Sequence, residues 1–84
     1  MVTLLYFAGL RERLDCSREE MALPPGTATV SSLVEQLRLR SSRWADAFAP
    51  ERSWRVAVNQ EMANPGTPLK AGDEIVFFPP VTGG

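Results

Sequence analysis

The chain predicts an α+β fold in which a small mixed sheet packs on one main helix, and three features of its 84 residues lead there. Val2 to Phe7 and Glu74 to Phe78, far apart in the chain, are both short runs apolar on both faces, as central strands are. Between them Val30, Leu33, Val34 and Leu37 fall at i, i+3, i+4 and i+7, the buried stripe of an amphipathic helix. Proline and glycine punctuate the rest at Pro24-Pro25-Gly26, Asn64-Pro65-Gly66 and Lys70-Ala71-Gly72-Asp73.

In chain order, Val2 to Phe7 is the first strand, and Ala8 to Leu14 reads as a loop or a single helical turn. Glu19 to Leu23 alternates weakly and closes into the Pro-Pro-Gly turn as a second strand. Thr29 is a suitable N-cap for the main helix, which ends near Arg40. Trp44, Ala47 and Phe48 supply a short second helical turn before Pro50. Trp54 to Asn59, with Val56 and Val58 inward and Arg55 outward, is a third strand. Asn64-Pro65-Gly66 places Pro and Gly at the two central positions of a turn, and the Lys70–Asp73 turn leads into the last strand, which runs into Pro79. The order β-β-α-β-β, with its long crossover, allows the first and last strands to pair in parallel at the centre of the sheet. This is the β-grasp architecture, with residues 1–78 as the domain and 79–84 as a free tail.

Composition removes several functions. Nine basic and ten acidic residues give a net charge of −1, without the basic footprint that nucleic acid or an anionic membrane requires. The N-terminal apolar run has no basic leader and breaks at Arg11-Glu12, so it reads as neither signal peptide nor membrane span, and a cytoplasmic location is expected. Cys16 is the single cysteine, which excludes an internal disulfide and any cysteine-rich zinc site. With no histidine there is no Ser-His or Cys-His pair, so the domain is poorly equipped to be an enzyme alone.

Parity marks a second surface. Thr3 and Glu74 should point away from the core, which turns Leu4, Tyr6, Ile75 and Phe77 toward the helix. Leu5, Phe7, Val76 and Phe78 then form an apolar patch on the opposite side of the sheet, beside the tail. Such a patch suits a partner that docks on it.

The tail, Pro79-Pro80-Val81-Thr82-Gly83-Gly84, suggests a carrier whose terminus is the reactive group. An α-carboxylate is a poor electrophile at neutral pH and must be activated, for which ATP can supply an acyl-adenylate that a sulfur donor then displaces. Six extended residues span about 20 Å at most, enough to carry Gly84 into a partner's active site. The glycines thread a narrow channel, and the prolines end sheet pairing and limit the entropy lost on docking.

Leu4-Leu5-Tyr6-Phe7-Ala8-Gly9-Leu10-Arg11-Glu12, Val56-Ala57-Val58-Asn59-Gln60, Gly72-Asp73-Glu74 and the ending Phe77-Phe78-Pro79-Pro80-Val81-Thr82-Gly83-Gly84 together resemble the MoaD-type small subunit of molybdopterin synthase. The resemblance spans nearly the whole chain. It implies a ubiquitin-like β-grasp sulfur carrier, adenylated at its terminal glycine by an E1-like adenylyltransferase that uses ATP, with no permanently bound cofactor and no metal. The resulting thiocarboxylate would enter the large subunit, within a heterotetramer, and convert cyclic pyranopterin monophosphate to the dithiolene of molybdopterin. Carried over, Gly84 bears the sulfur, and Pro80, Val81, Thr82 and Gly83 thread the partner's active site. Phe7 and Phe78 meet the partner, with Met62 a third contact beside Leu5 and Val76. A sulfur carrier for thiamine or tRNA thiolation, a ubiquitin-like protein modifier and a plain interaction module are the alternatives.

Other residues read more simply. Cys16 is a packed small hydrophobe. Arg38, Arg40 and Arg43 belong to a solvated helix end, Trp44 and Trp54 to the core or its edge, and Asp73 with Glu74 to a solvated turn.

Overall fold

A computed structural model describes residues 1–50 and 52–80. Its elements are β1 (Val2–Tyr6), α1 (Ala8–Leu14), β2 (Arg18–Met21), α2 (Val30–Arg38), α3 (Ser42–Ala47), β3 (Arg55–Val58), β4 (Glu61–Met62) and β5 (Glu74–Phe78). The strands form one mixed sheet in the order β2-β1-β5-β3-β4. The two strands richest in apolar residues thus sit at and beside the middle of the sheet. They pair in parallel, Leu4 opposite Ile75 and Tyr6 opposite Phe77, while every other pairing is antiparallel. This is the ubiquitin-like β-grasp topology expected from the sequence.

The inward parity of the strands meets the helical stripe in one core. Leu4, Ile75 and Phe77 are fully buried, and so are Val30, Leu33 and Leu37 of α2. Phe77 is its aromatic hub, stacked on Tyr6 at 5.9 Å and edge-on to Phe48 at 5.1 Å and Trp54 at 5.6 Å. Thr29 caps α2 as expected, its hydroxyl accepting from the Ser32 amide at 3.2 Å, a contact that satisfies one of the helix's orphan donors.

Two segments differ from the sequence reading. Ala8–Leu14 is a seven-residue α-helix rather than a loop or single turn. Phe7 at its N-cap offers no capping side chain, so the usual start signal is missing, yet Leu10 and Leu14 lie at i and i+4 and are buried. The β3–β4 hairpin was also not expected. Asn59 and Gln60 both adopt positive φ, 51° and 69°, as a two-residue hairpin turn demands, but glutamine is not a residue that announces such a turn. The second strand begins and ends earlier than expected, at Arg18–Met21, and the short helical segment near Trp44 is α3.

The turns carry the expected chemistry. Gly72 sits at φ 91° in the Lys70–Asp73 turn, closed by the Asp73 amide donating to the Lys70 carbonyl at 3.2 Å, and a Cβ there would be strained. In the other turn the Thr67 amide donates to the Asn64 carbonyl at 3.0 Å, and the Asn64 side chain accepts from the Gly66 amide at 2.8 Å.

Candidate functional site

The strand register builds the outward face row by row. Thr3 pairs with Glu20 on one side and Glu74 on the other, which forms a polar row far from the tail. Two residues along, Leu5 pairs with Val76, Val76 with Ala57, and Ala57 with Met62, so an apolar row crosses four strands. Phe78 pairs with Arg55 in the next row. Beyond the end of β1 the Phe7 amide donates to the Phe77 carbonyl at 3.1 Å, which continues the parallel ladder and leaves Phe7 beside Phe78.

Exposure follows parity. Leu5, Val76 and Phe78 are half-buried, whereas Phe7 is 51% exposed and Met62 65% exposed. All five residues named from the sequence as partner contacts therefore share one side of the sheet. Ala57 was not singled out; it is the small residue that joins Met62 to Val76, and the alternation of Val56 and Val58 already placed it outward. Because Leu5, Ala57, Met62, Val76 and Phe78 lie on strands and the Phe7 amide is bonded to β5, the patch is held in place before any partner arrives.

The last described residues, Pro79 and Pro80, are half-buried at the end of β5. Val81, Thr82, Gly83 and Gly84 lie outside the described residues. Pro80 forms part of the wall of a groove of about 600 Å³ that also takes in Met62, Trp54 and Arg55. The groove thus reaches the tail's root through Pro80 and the outward patch through Met62.

Two polar clusters hold the sheet under the patch, and both correct the sequence reading. Arg40 is not a freely solvated helix end. Its guanidinium donates to both Glu19 oxygens at 2.7 and 2.8 Å and lies 4.5 Å from the Trp44 ring centroid. The Tyr6 hydroxyl donates to the same carboxylate at 2.9 Å. Burial works to raise the Glu19 carboxyl, but the hydrogen bonds from Arg40 and Tyr6 outweigh it and hold it below its ordinary value. Tyr6 is pushed far upward, by burial first and then by the Glu19 charge, so its proton stays on.

Asp73 is likewise not a solvated turn residue, being only 3% exposed. Its carboxylate accepts from Asn59 Nδ2 at 2.9 Å, the Lys70 amide at 2.9 Å and Lys70 Nζ at 3.0 Å. Burial works to raise this group too, and the donors from Asn59 and Lys70 overcome it, holding the carboxyl low. Asn59 returns its own oxygen to the Glu74 amide at 3.0 Å. The β3–β4 hairpin is thereby tied to the first residue of β5, the strand that carries the tail.

Cys16 packs against the core edge, and burial raises its thiol, which disfavours a thiolate nucleophile. Among the described residues no group of His, Cys, Asp or Glu could hold a metal ion, and no helix is long and apolar enough to cross a membrane.

A five-stranded mixed sheet with parallel central strands, a main helix packed on one face and an apolar patch at the root of a Gly-Gly tail defines a ubiquitin-like carrier scaffold. Residues 4–84 match the ThiS family, and the chain belongs to it. It is 39% identical over 84 residues, covering all of both chains, to the molybdopterin synthase sulfur carrier subunit of Escherichia coli. Among solved structures it is similar to a Pyrococcus furiosus protein described as molybdopterin converting factor, subunit 1, with TM-score 0.76, 29% identity and coverage of 95% and 97% of the two chains. SAMP1 from Haloferax volcanii superposes with TM-score 0.70 at 28% identity, covering 99% and 98%.

Proposed function

We propose that this chain is the sulfur carrier subunit of a molybdopterin synthase. The observation that carries the reading is the juxtaposition at the end of β5: an apolar patch of Phe7, Phe78, Leu5, Val76 and Met62 adjoins Pro79-Pro80, from which the Gly83-Gly84 segment continues. Full-length similarity to a protein named for that role supports it.

In this reading the large subunit docks on the patch and receives the tail. An E1-like adenylyltransferase first activates Gly84: a carboxylate oxygen attacks the α-phosphorus of ATP and expels pyrophosphate, leaving an acyl-adenylate. A sulfur nucleophile then adds to the acyl carbon and AMP departs, which yields the thiocarboxylate. The domain supplies position rather than proton transfer, since it has no histidine and its clustered carboxylates are engaged in structure. Pro80, Val81, Thr82 and Gly83 form the arm that carries the sulfur into the partner, and both partners act in the cytoplasm. Reconstitution tests the reading: the thiocarboxylated chain, the large subunit and cyclic pyranopterin monophosphate should yield molybdopterin, whereas the chain without Gly84 should yield none. Equal product from both would overturn it.

A further inference from the structure

Two clefts open on either side of the tail's root. The groove of about 600 Å³ with Pro80 in its wall is lined by Arg38, Arg52 and Arg55. A second cleft of about 350 Å³, with Pro79 in its wall, is lined by Arg13 and again Arg52. Four arginines thus line the two clefts whose walls include Pro79 and Pro80. Their counter-charges among the described residues are few. Asp46 lies 3.1 Å from Arg52 and 3.7 Å from Arg13, and Glu35 lies 3.7 Å from Arg38. Both carboxylates are exposed, so these pairs are weak. Arg38 Nε is buried without a hydrogen-bond partner among the described residues.

This concentration of positive charge occurs in a chain whose net charge is −1, so the charge is sorted in space. The strand register shows the sorting on the outward face. Arg55 pairs with Phe78 in the row nearest the tail, while Glu20, Thr3 and Glu74 form the row two residues beyond the Leu5–Val76 pair, four from Phe78.

Reach forces these arginines into any productive complex. The four residues Val81 to Gly84 span about 14 Å when fully extended. A protein that acts on Gly84 must bring its opening within that distance of Pro80, beside the two clefts. Neutral apolar surface laid over them would strip water from guanidinium groups without replacing it, which is costly. Carboxylates at the same place pair with the fork-shaped donors and steer the approach.

We propose that Arg13, Arg38, Arg52 and Arg55 form a basic collar that docks an acidic rim around the tail-accepting opening of the large subunit. This rests on the reading of the chain as a carrier that delivers its tail. The apolar Phe7–Phe78 pair supplies the dry contact, and the collar sets the association rate and the orientation in which the tail enters.

The test is stopped-flow association of the full chain with the large subunit across about 0.05–0.5 M NaCl. The native chain should associate about tenfold more slowly at the high end of that range. The double variant Arg52→Glu/Arg55→Glu should associate at least about tenfold more slowly at low salt and lose most of the salt dependence, and the milder Arg52→Gln/Arg55→Gln should fall between. Arg43→Glu, the same charge change as the double glutamine variant but on an exposed residue of α3 that lines neither cleft, should associate like the native chain. Native rates in the double variants would overturn the proposal. An equal effect from Arg43→Glu would reduce it to net charge and also overturn it. Stronger inhibition by phosphate than by chloride at equal ionic strength would put a small anion in the clefts instead of a protein rim. If the native chain itself fails to bind the large subunit, the carrier reading falls first and the collar falls with it.

Discussion

Phe77 and Phe78 are neighbours on β5 that point to opposite sides of the sheet, so truncating each to alanine separates folding from docking. Phe77 is fully buried among Tyr6, Phe48 and Trp54. Removing its ring forfeits transfer energy and leaves a cavity, a loss of about 3–5 kcal/mol. Against the roughly 5–15 kcal/mol available to a domain, that is a large share. Phe78 is half-buried on the outward side, and its loss removes about 1 kcal/mol from folding. Docking would cover the remaining half of that ring, so its truncation should weaken the complex by about 2 kcal/mol, roughly 30-fold in Kd. The assays are thermal melting of the isolated chain and calorimetric titration with the large subunit. Phe77→Ala should lower Tm by about 12 °C or more, and Phe78→Ala by about 8 °C or less. If Phe77→Ala does not fold, Phe77→Leu should still lower Tm while binding with native affinity. Comparable stability losses at the two positions, or native affinity in Phe78→Ala, would refute the face assignment.

The buried Asp73 should make Asp73→Ala one of the most destabilising changes outside the apolar core, at about 2–4 kcal/mol by denaturant titration, because Asn59 and Lys70 lose their shared acceptor. Asp73 and Glu19 are both held below their ordinary values, so their stabilisation is present above roughly pH 4.5 and is lost as the pH falls through the lower folded values. Tyr6 is raised, so its contribution is intact below about pH 10 and is lost as the pH rises beyond that; Tyr6→Phe should flatten that alkaline limb in pH-dependent melts. Arg40→Ala should cost about 1–2 kcal/mol, a modest figure because the pair is partly exposed, and it should narrow the acid-side difference contributed by Glu19. Cys16→Ser should leave sulfur transfer in reconstitution unchanged, since the raised thiol plays no part in it.

The parallel pairing of the end strands was legible because both runs are apolar on both faces with a single polar residue each, Thr3 and Glu74, as central strands are. The main helix was legible from its stripe and from Thr29, whose hydroxyl makes the expected cap. What escaped was structure without a local signature. α1 starts at Phe7 with no capping side chain, and the β3–β4 hairpin turns through Gln60. The roles of Asp73 and Arg40 also escaped, since their partners Asn59 and Glu19 are 14 and 21 residues away in sequence. Parity alone gave the outward patch, because a two-residue period leaves no other choice once one face is buried. The basic collar could not be read at all, because Arg13, Arg38 and the Arg52–Arg55 stretch are far apart in sequence and line neighbouring clefts only in the fold.

The central claim is that Gly84 carries the sulfur. Intact mass spectrometry of the chain isolated from cells that make the molybdenum cofactor tests it most directly. The account predicts a fraction heavier by the replacement of one oxygen by sulfur, located by fragmentation at Gly84 and absent when Gly84 is deleted. A chain that stays a plain carboxylate under those conditions, or that accumulates as conjugates to other proteins through Gly84, would contradict it.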